Sequence, residues 1–296
     1  MLQKIGALPV ARDIAALRRA VAEWRRAGTV VALVPTMGAL HRGHLALIAH
    51  ARARADRVVA SIFVNPTQFG PHEDFGRYPR DEEGDAAKLA AASCDLLYAP
   101  EAAEMYPAGF STTVSAGALA EPLDGGFRPG HFAGVATVVT KLLLQARPDL
   151  ACFGEKDYQQ LQIIRRIARD LDIDCAIDGV AIVREPDGLA LSSRNAYLTP
   201  DERRIAPALH RMLSDAVARV TAGAVPQDAA AAGAAALLQA GFAKVDYVAL
   251  CDAETLQPLV AGKGGGRDRP GRALAAAWLG KTRLIDNQAI PSRAGA

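Results

Sequence analysis

Two short runs of β-branched and apolar residues, TVVALV at 29–34 and RVVASIFV at 57–64, each follow a segment whose apolar positions recur at helical spacing. Runs this short are better strands than helices, and strands apolar on both faces belong in a parallel sheet covered on both sides. The alternation therefore predicts βα units. The first helix, at 13–27, puts Ile14, Leu17, Val21 and Trp24 on one face with Gly28 after its end, and Pro35 is expected to stop the strand that follows. Helices at 44–54, 81–92, 132–147 and 158–170 then alternate with strands at 57–64, 95–98, 150–153 and 173–183, and a long loop spans 65–80. About five strands in this arrangement predict an α/β fold, a Rossmann-like doubly wound parallel sheet.

Beyond the turn Glu185-Pro186-Asp187-Gly188 the composition changes, and a second, smaller α+β domain is expected, so that the domains divide as 1–185 and 186–296. Its helices are predicted at 201–220 and 229–240 and its strands at 244–250 and 282–285. The alanine-rich stretch DAAAAGAAALL reads as a helix because alanine is the strongest helix former, and GKGGGRDRPG at 262–271 as a surface loop.

Composition excludes several function classes. With 34 Lys and Arg against 32 Asp and Glu the formal net charge is +2, too small and too evenly spread for a nucleic-acid footprint. No run of about 20 apolar residues exists to span a bilayer. The 4 cysteines form no C-x-x-C pair, so neither a disulfide framework nor a zinc site is indicated. The N-terminal stretch reaches charged residues at once, without the apolar core of a secretion signal, and cytoplasmic residence is expected.

Four segments carry chemistry. PTMGALHRGH at 35–44 lies between a strand and a helix, where His41 and His44 face the ligand crevice of an α/β sheet and the helix start adds N–H donors for a phosphate. An H-x-x-H pair also fits one capping and one solvated histidine, or two metal ligands lacking further partners. FVNPTQFG at 63–70 offers the uncharged amides of Asn65 and Gln68 at a strand end, as a hydroxy acid or an ordinary turn would use them. FGEKDYQQL at 153–161 carries Lys156 and Asp157, suited to phosphate and ribose or simply paired at a helix start. LSSRN at 191–195 places two hydroxyls beside a guanidinium that can fork onto phosphate oxygens, unless it is a plain linker. Arg128 and His131 are weaker candidates for an acid carboxylate or the phosphates, and Asp85 for helping to hold magnesium, although the charge run at 80–85 fits a solvated helix start better.

The H-x-G-H pattern after a first strand resembles the nucleotidyltransferase superfamily related to class I aminoacyl-tRNA synthetases. The order and spacing of all four segments, continuing to TRLIDN at 282–287, resembles the pantoate–β-alanine ligase family within it. The resemblance implies ATP-dependent joining of pantoate and β-alanine through a pantoyl-adenylate, with ATP and Mg2+ required and a homodimer as the assembly. It assigns Met37, Gly38, Ala39, Leu40, His41, Arg42, Gly43, His44, Gly154, Glu155, Lys156, Asp157, Val183, Leu191, Ser192, Ser193 and Arg194 to ATP. His44, His41, Lys156 and Arg194 would be catalytic, with His44 a proton donor. Gln68 and Gln160 would bind pantoate, Gln68 also bordering β-alanine, and the metal ligands are unassigned. A nucleotidyltransferase that stopped at a nucleotide product would have no use for Gln68 and Gln160. An inert nucleotide-binding protein would be expected to have lost a histidine or the lysine.

Overall fold

The structure, a computed structural model, describes residues 2–71, 73, 75–260 and 269–292. In chain order the elements are β1 (Gln3–Ile5), β2 (Leu8–Ala11), α1 (Ile14–Arg26), β3 (Val31–Thr36), α2 (Arg42–Arg52), β4 (Arg57–Ile62), α3 (Glu82–Ala91), β5 (Leu96–Tyr98), α4 (Ala102–Met105), α5 (Asp124–Phe127), α6 (His131–Ala146), β6 (Leu150–Gly154), α7 (Tyr158–Asp170) and β7 (Ala176–Val180). There follow α8 (Pro200–Ile205), α9 (Ala208–Thr221), α10 (Pro226–Gln239), β8 (Lys244–Asp252), β9 (Gly271–Leu279) and β10 (Thr282–Ile290). They gather into two compact units. One comprises Met1–Ala120, Arg128–Glu155 and Gln160–Ala181, the other Glu121–Phe127, Lys156–Gln159 and Ile182–Ala296.

The first unit is built on a seven-stranded sheet in the order β1-β2-β5-β4-β3-β6-β7. All neighbours are parallel except the β1–β2 hairpin, whose two-residue turn has Gly6 at φ +57°. Strand alternation gives the sheet two apolar faces. Val31 and Leu33 join Leu17, Val139, Leu143 and Leu161 of α1, α6 and α7, whereas Ala32 and Val34 join Leu47, Ile48 and Leu89 of α2 and α3. This is the doubly wound Rossmann-like architecture. From β3 the sheet grows outward through β4 and β5 on one side and through β6 and β7 on the other, so the order reverses between β3 and β6. Ligands bind such folds beyond the carboxyl ends of the strands at that reversal.

The second unit has a three-stranded antiparallel sheet, β10-β9-β8. One face, with Ala273, Ala275, Ala277 and Leu284, packs on Leu209, Leu213, Ala216 and Leu237 of α9 and α10. The opposite face carries Arg272, Trp278, Arg283 and Asn287 and receives the two short segments that come from earlier in the chain. Arg283 bridges Asp124 (Nη2–Oδ1 2.6 Å) and Asp246 (Nε–Oδ2 2.7 Å), and Asn287 donates to the carbonyl of Lys156 at 2.9 Å.

The sheet has seven strands where about five were expected, because β1 and β2 precede the first predicted helix; other expectations change as well. β3 runs through Pro35 to Thr36, so the proline does not end it. The helix predicted at 201–220 is two helices, interrupted at Ala206 and Pro207, since proline at 207 cannot donate to the preceding turn. β9 is a strand that no pattern announced. Most of the predicted loop at 262–271 lies outside the described residues.

The Arg283 ion pairs generate a test. Burial pushes the Asp246 carboxyl up, but hydrogen bonds from Lys244, Arg283 and Trp278 outweigh it and hold it below the ordinary range. A carboxyl so depressed contributes stability that is present above its unfolded pKa, about 3.9, and lost as the pH falls through the folded value. Arg283→Met leaves both aspartates short of a partner and should cost about 3 kcal/mol in urea unfolding at neutral pH, less in acid.

Candidate functional site

The loop from β3 to α2 is held by Thr36 at its start and by Asp85 from α3. Thr36 Oγ1 donates to the Ser61 carbonyl at 2.7 Å and accepts from the Gly38 N–H at 3.2 Å. Gly38 and Ala39 both take left-handed backbone, φ +85° and +52°, which turns the chain sharply and is unusual for alanine. The Leu40 N–H donates to Asp85 Oδ1 at 2.8 Å. Asp85 is 1% exposed, and the same oxygen meets Lys88 Nζ at 3.1 Å. Its carboxylate braces the loop through Oδ1.

At the start of α2 the two histidines cap each other. His41, in extended backbone, accepts the Gly43 N–H on Nδ1 at 3.1 Å, and His44 accepts the His41 N–H on Nδ1 at 3.3 Å. Their ring centroids lie 4.1 Å apart. A backbone N–H can only donate, so both Nδ1 atoms are acceptors and each ring is neutral with its proton on Nε2. Capping and chemistry are thus compatible: the bonds that order the helix start fix both rings as Nε2–H donors. Together with Arg42, Gly43 and the positive end of α2, they suit an anion.

Beside this loop, after β4, Asn65 is a buried hub. Its Oδ1 accepts from Tyr106 Oη (2.8 Å) and Thr67 Oγ1 (3.0 Å), and its Nδ2 donates to Gln68 Oε1 (3.1 Å) and the Gly134 carbonyl (3.2 Å). Gln68 Nε2 then points to Met37 Sδ at 3.0 Å, so Gln68 and Met37 come together. Arg128 forks onto Glu73 (2.7 and 2.6 Å) and donates to His131 Nε2 at 2.9 Å, and His131 Nδ1–H donates to the Gln68 carbonyl at 2.8 Å. Burial pushes the Glu73 carboxyl up, yet Arg128 outweighs this and holds it below its ordinary value. Arg128 and His131 therefore support the Gln68 backbone. Gly154 ends β6, Glu155 follows, and half-buried Gln160 lies in the first turns of α7.

The remaining candidates belong to the second unit. Lys156 Nζ is 3.8 Å from Asp157, whose carboxylate is half exposed. The Leu191 N–H donates to the Val183 carbonyl at 3.0 Å, which closes a hairpin around Gly188 and brings those two together. Ser192 caps the turn Ser193–Tyr197, its Oγ accepting the Arg194 N–H at 3.3 Å. Arg184 braces the hairpin through Asp286 (Nη1–Oδ2 2.6 Å, Nη2–Oδ1 2.9 Å). Sequence reasoning missed Asn65 as a hub, Glu73, Asp286, Asn287 and Arg272. The available signal was the polar pair Asp286-Asn287 inside an otherwise strand-like run.

Fold and site together define a Rossmann-like α/β protein whose switch-point loop is arranged to receive an anion. The chain belongs to the pantoate-beta-alanine ligase family, whose model matches residues 9–289. It is 60% identical over 281 residues, 95% of this chain and 97% of the relative, to a pantothenate synthetase of Paramagnetospirillum magneticum. Among solved structures, the pantothenate synthetase of Thermus thermophilus is 47% identical with a TM-score of 0.86, over 95% of this chain and 99% of that one. The pantoate-beta-alanine ligase of Francisella tularensis, in complex with beta-gamma ATP and beta-alanine, is 33% identical with a TM-score of 0.79 over 95% and 97%.

The close approach at Gly134 yields a counterintuitive prediction. A Cβ there would press into the Thr67 carbonyl and lie 2.7 Å from the Gln68 nitrogen. Alanine is intrinsically the better helix residue by about 1 kcal/mol, yet Gly134→Ala should lower stability in chemical unfolding by about 1–3 kcal/mol.

Proposed function

We propose that the protein condenses pantoate with β-alanine at the expense of ATP, yielding pantothenate, AMP and pyrophosphate. Family membership at this identity supports the reaction, and the reciprocal histidine cap is the observation that carries its mechanism. Joining a carboxylate to an amine in water needs an activated acyl group. The pantoate carboxylate attacks the α-phosphorus of ATP, the bond to the bridging oxygen breaks, and pyrophosphate departs. The amine of β-alanine then attacks the acyl carbon of the pantoyl-adenylate, loses a proton and expels AMP.

In this reading the Nε2–H groups of His41 and His44 donate hydrogen bonds to phosphate oxygens as charge builds on them, and each neutral ring keeps its proton. Donors of this kind, set before the reaction, are worth about 10²–10³ in rate each. Lys156 and Arg194 neutralise the remaining phosphate charge. The family resemblance assigns the nucleotide to residues 37–44, 154–157, Val183 and 191–194, and pantoate to Gln68 and Gln160, whose amides can bond its hydroxyls and carboxylate. Gln68, fixed by Asn65, also borders β-alanine.

Among the described residues no three His, Cys, Asp or Glu side chains group as a metal site. On family grounds magnesium would enter with ATP and offset charge on its phosphates. No helix among the described residues is long and apolar enough to cross a membrane. A cytoplasmic homodimer is the setting proposed, on family grounds.

The test uses pantoate labelled with 18O in its carboxylate, together with ATP, magnesium and β-alanine. One labelled oxygen should appear in AMP for each pantothenate formed. Label in pyrophosphate or inorganic phosphate, or ATP turnover that does not require pantoate, would reject the adenylate route.

A further inference from the structure

Asn287 sits in the middle of β10 and is only 2% exposed. Burying a carboxamide is unfavourable unless its polar atoms are paired, and an apolar residue would cover the sheet at no such cost. Its partners explain its presence. Oδ1 accepts from Arg272 Nε at 2.7 Å and Nδ2 donates to the Lys156 carbonyl at 2.9 Å. A guanidinium can only donate and a carbonyl can only accept, so the orientation of the amide is unambiguous.

Arg272 is itself buried and fixed. Its guanidinium lies 4.1 Å from the centroid of the Tyr158 ring, and the Tyr158 hydroxyl donates to the Ala253 carbonyl at 3.0 Å. Ala253, Tyr158, Arg272 and Asn287 thus form one chain of contacts ending on the backbone of Lys156. Lysine is a point charge on a flexible stem. Where its ammonium dwells depends on how firmly its Cα is held, and the turn Glu155–Asp157 is a single short one.

We infer that Asn287 is a positioning residue for Lys156, holding the lysine backbone so that its ammonium is presented to the phosphates. The inference rests on the proposed role of Lys156. Asn287 touches no substrate in this account and acts only through the lysine.

The experiment is a double-mutant cycle with Asn287→Asp and Lys156→Ala, read as kcat and KM of the complete reaction. Asn287→Asp keeps the acceptor for Arg272 and removes the donor to Lys156. It should leave the protein folded, lower kcat about 10- to 100-fold, as a displaced charge does, and change the KM for pantoate little. In the Lys156→Ala background, which retains the backbone carbonyl, the same substitution should change kcat by less than about threefold, because contacting residues that act as a unit are not additive. Equal fold-losses in both backgrounds, or an unchanged kcat in folded Asn287→Asp, would overturn the inference while leaving the role of Lys156 intact. A wild-type kcat in Lys156→Ala would instead remove the lysine from the reaction, and the positioning role with it. Should Asn287→Asp fail to fold, Asn287→Ala is read in the same cycle against the same outcomes.

Discussion

The pair of side-chain caps that His41 and His44 place on the start of α2 is the interaction on which the first unit's site depends. Each ring gives its Nδ1 lone pair to a backbone N–H at the start of α2, which settles the tautomer, the ring orientation and the first turn together. A serine and a glutamate could form a capping box as well. Only histidines can do so and still present a donor from the far side of each ring. The sheet order supplies the place, because the loop follows β3 at the reversal of direction. Asp85 and Thr36 brace the loop from beneath, and Asn65 secures Gln68 against Met37.

The second unit applies a different principle to its cations. Strand alternation sends neighbouring residues of β10 to opposite faces. Asp286, on the helix side, forks onto Arg184 at the base of the 183–191 hairpin, whereas Asn287, on the other face, holds the backbone of Lys156. One dipeptide thereby braces both the 183–191 hairpin and the turn that carries Lys156, and it does so through buried polar groups that would otherwise destabilise the strand.

Much of this was legible in the chain. The β-branched runs identified β3 and β4 because strands covered on both faces need such residues, and the spacing of Leu17 and Val21 identified α1. The loop holding His41 and His44 was placed by its position after a strand. β9 escaped notice because GRALAAAWL is alanine-rich, which locally favours helix; pairing on both sides overrides that preference. Pro35 misled for a related reason, since a strand can continue past a missing donor. Residues 121–127 and 156–159 belong with the C-terminal sheet through Arg283, Arg272 and Asn287, contacts between residues more than 100 positions apart that no local pattern encodes. The chain from Glu73 through Arg128 to His131 is similar: the residue types suggested anion binding, and only their proximity reveals that they serve one another and the Gln68 backbone.

The mutual cap can be read directly from the imidazole nitrogens. In protein labelled with 15N at histidine, the rings of His41 and His44 should both show a protonated, pyrrole-type Nε2 and an unprotonated, pyridine-type Nδ1 at neutral pH, with Nδ1 shifted as for a hydrogen-bond acceptor. A proton on Nδ1 of either ring, or a doubly protonated ring, would contradict the account, since that nitrogen could then accept no backbone N–H and the two donors would not be fixed in advance of the nucleotide.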